Sequence, residues 1–459
     1  MRNILAYLGL LLEVFAFFLI LPIIAAVYLN EPAEPFLIAA LISVILGLYF
    51  DKTNKQEELR INEALTLTAL SFLFVSIIGA IPYLYHFADF GSRALIDSFF
   101  ESVSGFTTTG LTVFSSVDTL PKSLLLWRAE TQWLGGIGII IIFLAILSEL
   151  KTSSQPLYRA QGYAAHIGVT IKDTARSMIK IYGAYTVVGI LLLYLFGLSF
   201  FESLSIAFSS ISTGGFAVTD SFYTSTAVLG IISALMILGA TSFFVHDRMF
   251  RGDIKYFFRT VETRALMFLI LAFSVIVLIG FPHLSNIFFE VVSVATTTGY
   301  SAQNMSSLPF GFLGILIILM FLGGSSASTA GGIKISRVLI AFKSIPWFLR
   351  KMTAPKSAII PLKVGGEPID EDILTTTVVF IMVYALAVFI ASFAFMFLGF
   401  GIVDSFFHVI SALGTVGLST IEISTIPVIG KVILIACMFL GRLEIFPVLI
   451  LLKNIVKRE

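Results

Sequence analysis

GTVGLST, Gly414 to Thr420, is a polar, glycine-punctuated turn in a chain that is otherwise mostly apolar. It ends a segment, IVDSFFHVISALGTVGLST, that is too short and too polar to cross a bilayer yet lies between two stretches that could. Three further segments share its pattern: ALIDSFFESVSGFTTTGLT, FFESLSIAFSSISTGGFAV and LSNIFFEVVSVATTTGYSA. They align without gaps on Gly110, Gly215, Gly299 and Gly417. Two residues before the glycine stands threonine: Thr108, Thr213, Thr297 and Thr415. Six before it stands serine (Ser104, Ser209, Ser293, Ser411), and thirteen before it a short or acidic polar residue (Asp97, Glu202, Asn286, Asp404).

One such copy alone would read as a Ser/Thr-rich helix end with a glycine cap. Four gapless copies, each flanked by a span on either side, are an internal repeat, and the repeat unit defines the architecture. From the acidic column to the turn is about ten residues, or ~15 Å of helix, half a bilayer. The unit is therefore span, re-entrant half-helix, turn, span. The acidic column suits the helix N-terminus, where it caps free N–H groups. The negative C-terminal ends then converge, and irregular backbone at that depth must be buried in protein or line water. A cation at the meeting point relieves the repulsion.

Glycine tolerates positive φ, which lets successive carbonyls face one axis, as in the carbonyl-ring filters of potassium channels. Thr415-Val416-Gly417 matches the first three letters of that channel motif; the other turns read TTGL, TGGF and TTGY. Where the channel motif has its second glycine, this chain has Thr112, Ala217, Ser301 and Ser419, so a shorter filter is expected. The expected filter residues are Thr108, Thr109, Gly110, Thr213, Gly214, Gly215, Thr297, Thr298, Gly299, Thr415, Val416 and Gly417. K+ is expected at Thr108, Thr109, Thr213, Gly214, Thr297, Thr298, Thr415 and Val416.

Composition agrees with a polytopic membrane protein: 58% of the 459 residues are hydrophobic and 12% charged, against roughly half and a quarter in soluble domains. A net charge of +1 points to no acidic partner, and no nucleic-acid partner is expected. The single cysteine, Cys437, excludes an internal disulfide and a CxxC site. The apolar N-terminus reads as a retained first span, without a clean signal-peptide cleavage site. Spans are expected near 4–29, 35–50, 66–86, 123–149, 176–197, 225–246, 263–281, 309–345, 371–398 and 425–452. The loops on the side of both termini carry Lys52, Lys55, Arg60, Lys151, Arg159, Lys172, Arg176, Arg248, Arg251, Lys255, Arg259, Arg350, Lys351, Lys356 and Lys363. Lys453, Lys457 and Arg458 follow at the end, whereas the opposite loops hold almost only Arg93 and Lys122. The positive-inside rule then places both termini in the cytoplasm. The expected fold is an all-α membrane protein with two extra N-terminal spans (1–50) and four pseudo-repeats around one pore: 66–150, 173–247, 262–345 and 371–459.

In these motifs the chain resembles the Trk/Ktr/HKT superfamily of potassium transporters, and most of all its TrkH branch. WRAETQWLGGIGI (Trp127 to Ile139), STGGF, GGSSASTAGGIKISR (Gly323 to Arg337) and FLGRLEIF (Phe439 to Phe446) carry the resemblance, which covers nearly the whole chain. It implies a channel-like K+ uptake pore in the plasma membrane, a homodimer with one pore per protomer, and a cytosolic, TrkA-like nucleotide-binding regulatory subunit. The chain itself shows no nucleotide-binding pattern, so any nucleotide acts through that partner. A glycine in every filter, Gly110 included, goes with potassium preference in that family.

GGSSASTAGG interrupts the eighth span, since glycine inside a helix costs ~1 kcal/mol relative to alanine. A phosphate loop fails on spacing, because Ile333 separates Gly332 from Lys334 and no strand precedes. A small-residue packing patch is the alternative. The favoured reading is an unwound gate loop below the filter: Gly323, Gly324, Ser325, Ser326, Ala327, Ser328, Thr329, Ala330, Gly331 and Gly332, with Lys334 as a possible inner anchor. Arg442, a charge inside an apolar run, is expected to face the bundle interior; the resemblance puts it in the pore beside the loop, and a structural arginine paired with carbonyls is the alternative. Glu444, about 200° around a straight helix from it, is no obvious partner. Glu101, Glu290 and His408 share a column nine before the glycine, with Ile206 the exception, and suit helix-dipole and outer-mouth hydrogen bonding. Arg128, Glu130 and Gln132 are expected to brace the first filter turn from behind. His86, His166, His246 and His283 are scattered and form no metal site. A K+/H+ or K+/Na+ symporter is the main rival; an intramembrane enzyme would need paired groups such as HExxH, which are absent from the sequence.

Overall fold

A computed structural model describes residues 2–54, 59–87, 91, 93–138, 141, 171–355 and 360–457. Lys55, Lys151, Arg159, His166, Lys356, Arg458 and Ile139 lie outside the described residues, as does the inner end of the expected fourth span. The protein is a multi-pass helical membrane protein. Two N-terminal spans come first: α1 (Arg2–Phe18) with its continuation α2 (Ile20–Leu29), then α3 (Glu34–Thr53). α1 and α3 meet through Gly9 and Gly47, where a Cβ on Gly9 would stand 2.6 Å from the Gly47 carbonyl oxygen. Close backbone approach of this kind drives helix association where lipid removes the hydrophobic incentive.

Four repeats follow. The first comprises α4 (Ile61–Gly79) with α5 (Ile81–His86), the half-helix α6 (Ala94–Phe106) and α7 (Lys122–Ile137). The second comprises α8 (Ile171–Leu195), the half-helix α9 (Phe200–Ile211), and α10 (Thr226–Gly239) followed by α11 (Phe243–Phe250). A short α12 (Tyr256–Arg259) leads to the third: α13 (Val261–Gly280), the half-helix α14 (Ile287–Ala295), α15 (Phe310–Leu322) and α16 (Ile335–Thr353). A two-stranded hairpin, β1 (Lys363–Val364) and β2 (Glu367–Pro368), precedes the fourth: α17 (Glu371–Phe397), the half-helix α18 (Ile402–Leu413), α19 (Val428–Arg442) and α20 (Phe446–Lys457).

The half-helices hold 9 to 13 residues, about 14–20 Å. Their inward faces are closed to solvent: Glu101, Ser104, Ser209, Ser293 and Ser411 are fully buried. The expected capping column is correct for one member only. Glu202 forms a capping box with Ser199, whereas Asn286 sits at the N-cap without a side-chain bond, Asp97 binds Lys431 and Asp404 accepts from Thr420 Oγ1.

The expected spans are less continuous than the one break read in the eighth implies. Among the described residues six helices are long and apolar enough to cross a membrane, and the second helices of the second, third and fourth repeats are interrupted. α7 ends at Gly138 with φ 85°. α10 and α11 bend by 104°, and α19 and α20 by 112°. α15 and α16 are separated by the loop 323–334. Only the loop is legible as a break, because each bend is made by three residues between apolar helices. Glu444 (φ 55°) and Ile445 (φ 64°) make the last one, both left-handed without being glycine.

Candidate functional site

Each half-helix ends in the same backbone device. The threonine of the repeat column takes positive φ: Thr108 55°, Thr213 52°, Thr297 56° and Thr415 50°. The next N–H reaches back to the column serine carbonyl: Thr109 to Ser104 (2.9 Å), Gly214 to Ser209, Thr298 to Ser293 and Val416 to Ser411 (each 2.8 Å). The threonine N–H bonds one turn back, as Thr108 does to Gly105 at 2.9 Å. This is a Schellman cap with threonine where glycine is usual. Left-handed backbone costs a residue with a Cβ roughly 1–2 kcal/mol, so the hydroxyl at this place must serve something that glycine could not.

The glycine two residues on is also left-handed, with φ of 87°, 80°, 82° and 90° in the four copies. Its missing side chain is equally necessary. A Cβ on Gly110 would land on the Gly214 carbonyl oxygen, on Gly215 it would meet Thr298 O, on Gly299 Val416 O, and on Gly417 Thr109 O. The contacts run from copy one to two, two to three, three to four and four to one. The four turns therefore form one closed ring of backbone, with the carbonyls of Thr109, Gly214, Thr298 and Val416 each packed against the next glycine. All eight residues named as ion-binding in the sequence lie in this ring.

The outer limbs of the turns are held by the column nine before the glycine. Glu101 accepts from Thr112 Oγ1 (3.0 Å) and Val113 N (3.0 Å), Glu290 from Ser301 Oγ (3.0 Å) and Ala302 N (2.7 Å), and His408 Nε2 pairs with Ser419 Oγ (2.7 Å). In the second copy both ends of the strut are apolar, Ile206 and Ala217, and α7 supplies the brace instead. Arg128 pairs with Glu101 at 2.8 Å and donates to Thr112 Oγ1 and Ala217 O, each at 3.1 Å. Gln132 binds Gly214 O, Phe216 N and Ser209 Oγ. Of the expected braces, then, Arg128 serves the first and second turns and Gln132 the second, not the first. Glu130 is buried with its Oε2 unpartnered and braces neither.

Beneath the ring lies the loop 323–334, and it touches three of the four left-handed threonines, while Arg442 reaches the fourth. Thr213 Oγ1 meets Thr329 Oγ1 at 3.2 Å, Gly331 N donates to Thr297 Oγ1 at 2.7 Å, and a Cβ on Gly331 would strike Thr415 Oγ1. Thr108 Oγ1 accepts from Arg442 at 3.3 Å. That contact explains the threonines: their hydroxyls face the loop and Arg442.

The breaks in the second helices hold the loop. An interrupted helix leaves its last carbonyls without intrahelical partners. Gly239 O accepts from Thr329 N (3.1 Å) and Thr329 Oγ1 (2.9 Å), and Ala240 O from Ser325 N (3.0 Å). Ala327 O accepts from Phe243 N at 2.9 Å, at the start of α11. Arg442 binds Thr329 O (2.9 Å) and the end of α7 through Gly136 O (2.7 Å) and Gly135 O. Lys334 folds back to donate to Ala330 O, Ser326 N donates to Glu262 Oε2 (2.7 Å), and Ser326 Oγ bonds Ser336 Oγ. Gly323, Gly324 and Gly332 are packed against Gly331, Ala330 and Gly323 in turn, so the strand of small residues is compact. Ser328 Oγ donates to Ser325 O at 2.6 Å. Glu444, expected to be no obvious partner of Arg442, pairs with Arg337, the last residue of the loop motif. A polar cleft of about 40 Å³ between Ser328, Gly331, Lys334, Arg442 and Glu444 adjoins the loop. On the ring's other side a recess of about 360 Å³ opens between Thr112, Phe114, Asn304, Ser306, Thr420 and Glu422.

Comparison with known proteins is consistent with this geometry. A family model described as "TrkH: Cation transport protein" matches residues 30–285 and 283–457. The chain belongs to the TrkH family. An uncharacterized cation transporter of Methanocaldococcus jannaschii is 35% identical over 99% of this chain and 96% of its own. The Trk system potassium uptake protein TrkH of Halomonas elongata is 32% identical over 98% of both chains. The crystal structure of the potassium transporter TrkH from Vibrio parahaemolyticus superposes with a TM-score of 0.87, at 28% identity and over 98% of each chain. The TrkH architecture thus extends across the whole chain, N-terminal spans included.

Proposed function

We propose that this TrkH-family chain is a potassium uptake pore. The ring of Thr109, Gly214, Thr298 and Val416 carbonyls, with Thr108, Thr213, Thr297 and Thr415 below it, serves as a four-part selectivity filter for dehydrated K+. The loop Gly323 to Gly332, anchored by Lys334 and stapled by Arg442, serves as an intramembrane gate. The observation that carries this reading is the closed cycle of glycine-to-carbonyl contacts, the arrangement expected if four repeats of one chain are to present backbone oxygens to a common centre. The potassium named for the Halomonas and Vibrio relatives supports the choice of ion.

The loop's bonds to the threonines make the present arrangement a shut one, and opening requires it to leave the Gly239, Ala240 and Thr297 partners together. A cytosolic nucleotide-binding subunit, acting on the basic inner loops of a homodimer with cytoplasmic termini, would supply that work. The test is ion flux from proteoliposomes holding the purified chain. K+ and Rb+ should move without stoichiometric protons or Na+, and coupled proton or Na+ movement would establish a symporter instead. Deleting Ser325 to Ala330 should raise basal flux; a fall in flux with the protein still folded would remove the gate from this account.

A further inference from the structure

The four turns are not held alike: the first copy's Ser104 Oγ is buried without a hydrogen-bond partner among the described residues, and the other three column serines divide according to one side chain. In the third and fourth copies the column serine donates to the carbonyl just after the filter glycine: Ser293 Oγ to Tyr300 O and Ser411 Oγ to Leu418 O, both 2.7 Å. In the second copy the equivalent hydroxyl, Ser209 Oγ, is drawn away to Gln132 Oε1. Gln132 is fully buried, and its three partners fix its orientation. Phe216 N can only donate and bonds Oε1 at 3.0 Å, while Gly214 O can only accept and bonds Nε2 at 2.6 Å. The place has no room for an alternative, because a Cβ on Gly214 would overlap the Gln132 amide. The extra glycine of STGGF is thus the seat of the glutamine. Gly214 is also the ring member whose oxygen packs against Gly110.

We propose that Gln132 is a specificity-determining positioning residue, whose amide hydrogen bond to the Gly214 carbonyl tunes one quarter of the ion ring toward K+ and against Na+. This rests on the ring being the filter. Two physical accounts of carbonyl selectivity exist, cavity size and carbonyl field strength, and they agree on the direction here. By size, the bond restrains the oxygen from closing on a smaller ion. By field, the positive end of the amide N–H at that oxygen offsets part of its field at the ion, and a weak field disfavours the smaller, more strongly hydrated ion. Losing the bond therefore favours Na+ under either account.

The experiment is the K+/Na+ permeability ratio, from reversal potentials of the full chain in planar bilayers or proteoliposomes. Gln132→Met keeps the length and removes the donor. Gln132→Leu removes donor and acceptor together at nearly the same volume. Both should lower the ratio roughly 3- to 10-fold, the span of one neutral hydrogen bond, while Rb+ flux persists as the sign of an intact pore. A ratio equal to wild type in either folded, conducting variant overturns the proposal, as does a uniform loss of all flux with the ratio retained, which would make Gln132 purely structural. A wild-type chain that does not distinguish K+ from Na+ would instead overturn the filter reading itself.

Discussion

Arg442 in the last repeat donates to the carbonyl of Thr329 in the third, at 2.9 Å, and with the same guanidinium to the end of α7 in the first. One side chain thereby ties the loop to a helix terminus whose freed carbonyls attract a cation. Removing it should release the loop. Charge-assisted hydrogen bonds contribute about 1.5–3 kcal/mol each, so Arg442→Ala should raise basal Rb+ flux about tenfold or more. Arg442→Lys, with one compact charge in place of a planar fork, should give an intermediate rise. Unchanged flux in proteoliposomes with both variants would show that the staple is not what keeps the loop in place.

The ring glycines make the sharpest structural demand. Gly299→Ala or Gly417→Ala adds a methyl where a neighbouring carbonyl already stands and also strains a left-handed backbone. Either should reduce selective K+ uptake by more than about tenfold, since overpacking alone costs typically 1–3 kcal/mol. The K+ dependence of growth in a host lacking its own K+ uptake reads this directly. Normal growth at low K+ would mean that the turns have slack that the contacts do not reveal.

The outer mouth offers a pH test. Burial pushes the Asp220 carboxyl up, but hydrogen bonds from Ser116 Oγ (2.5 Å) and Val117 N (2.8 Å) outweigh it and hold the group below its ordinary value of 3.8. A depressed carboxylate adds stability that is complete above the unfolded value and lost as pH falls through the folded one. This tie between the outer loops of the first two repeats should therefore be insensitive to pH from 5 to 8. Asp220→Asn should lower the melting temperature at pH 7, with the difference shrinking below about pH 3.8. A loss of stability in the wild type between pH 8 and 5 that Asp220→Asn abolishes would contradict the assignment.

Much of this arrangement is legible in the sequence, for a physical reason. Four turns that must meet at one axis face the same geometric demand, so threonine, glycine and serine recur in register and the repeat becomes visible without any structure. What connects the repeats is not under that constraint. Gln132 reaches Gly214 across 82 positions, and nothing in WRAETQW marks which turn it serves. The bends after Gly239 and Arg442 escape hydropathy because the flanking residues stay apolar. The partner of Glu444 escapes for the same cause: angular bookkeeping on a straight helix sets it apart from Arg442 but cannot find Arg337 once two left-handed residues redirect the chain.

The ring must also be closed mechanically between its last and first repeats, and Lys431 does this. It lies in α19, 1% exposed, and donates to Asp97 Oδ1 of α6 at 2.5 Å and to Ser424 O at 3.4 Å. Removing one partner of a buried pair leaves an uncompensated charge and costs about 3–5 kcal/mol, whereas replacing both can be neutral. Lys431→Met and Asp97→Asn should each lower the melting temperature of the purified protein, Lys431→Met more, because an asparagine in place of Asp97 can still accept from Lys431 Nζ whereas methionine offers the Asp97 carboxylate no donor. The double variant should recover most of the loss, giving a strongly non-additive cycle. Additive losses would mean that the two residues act separately, and that the fourth and first half-helices are held together by packing and not by this pair.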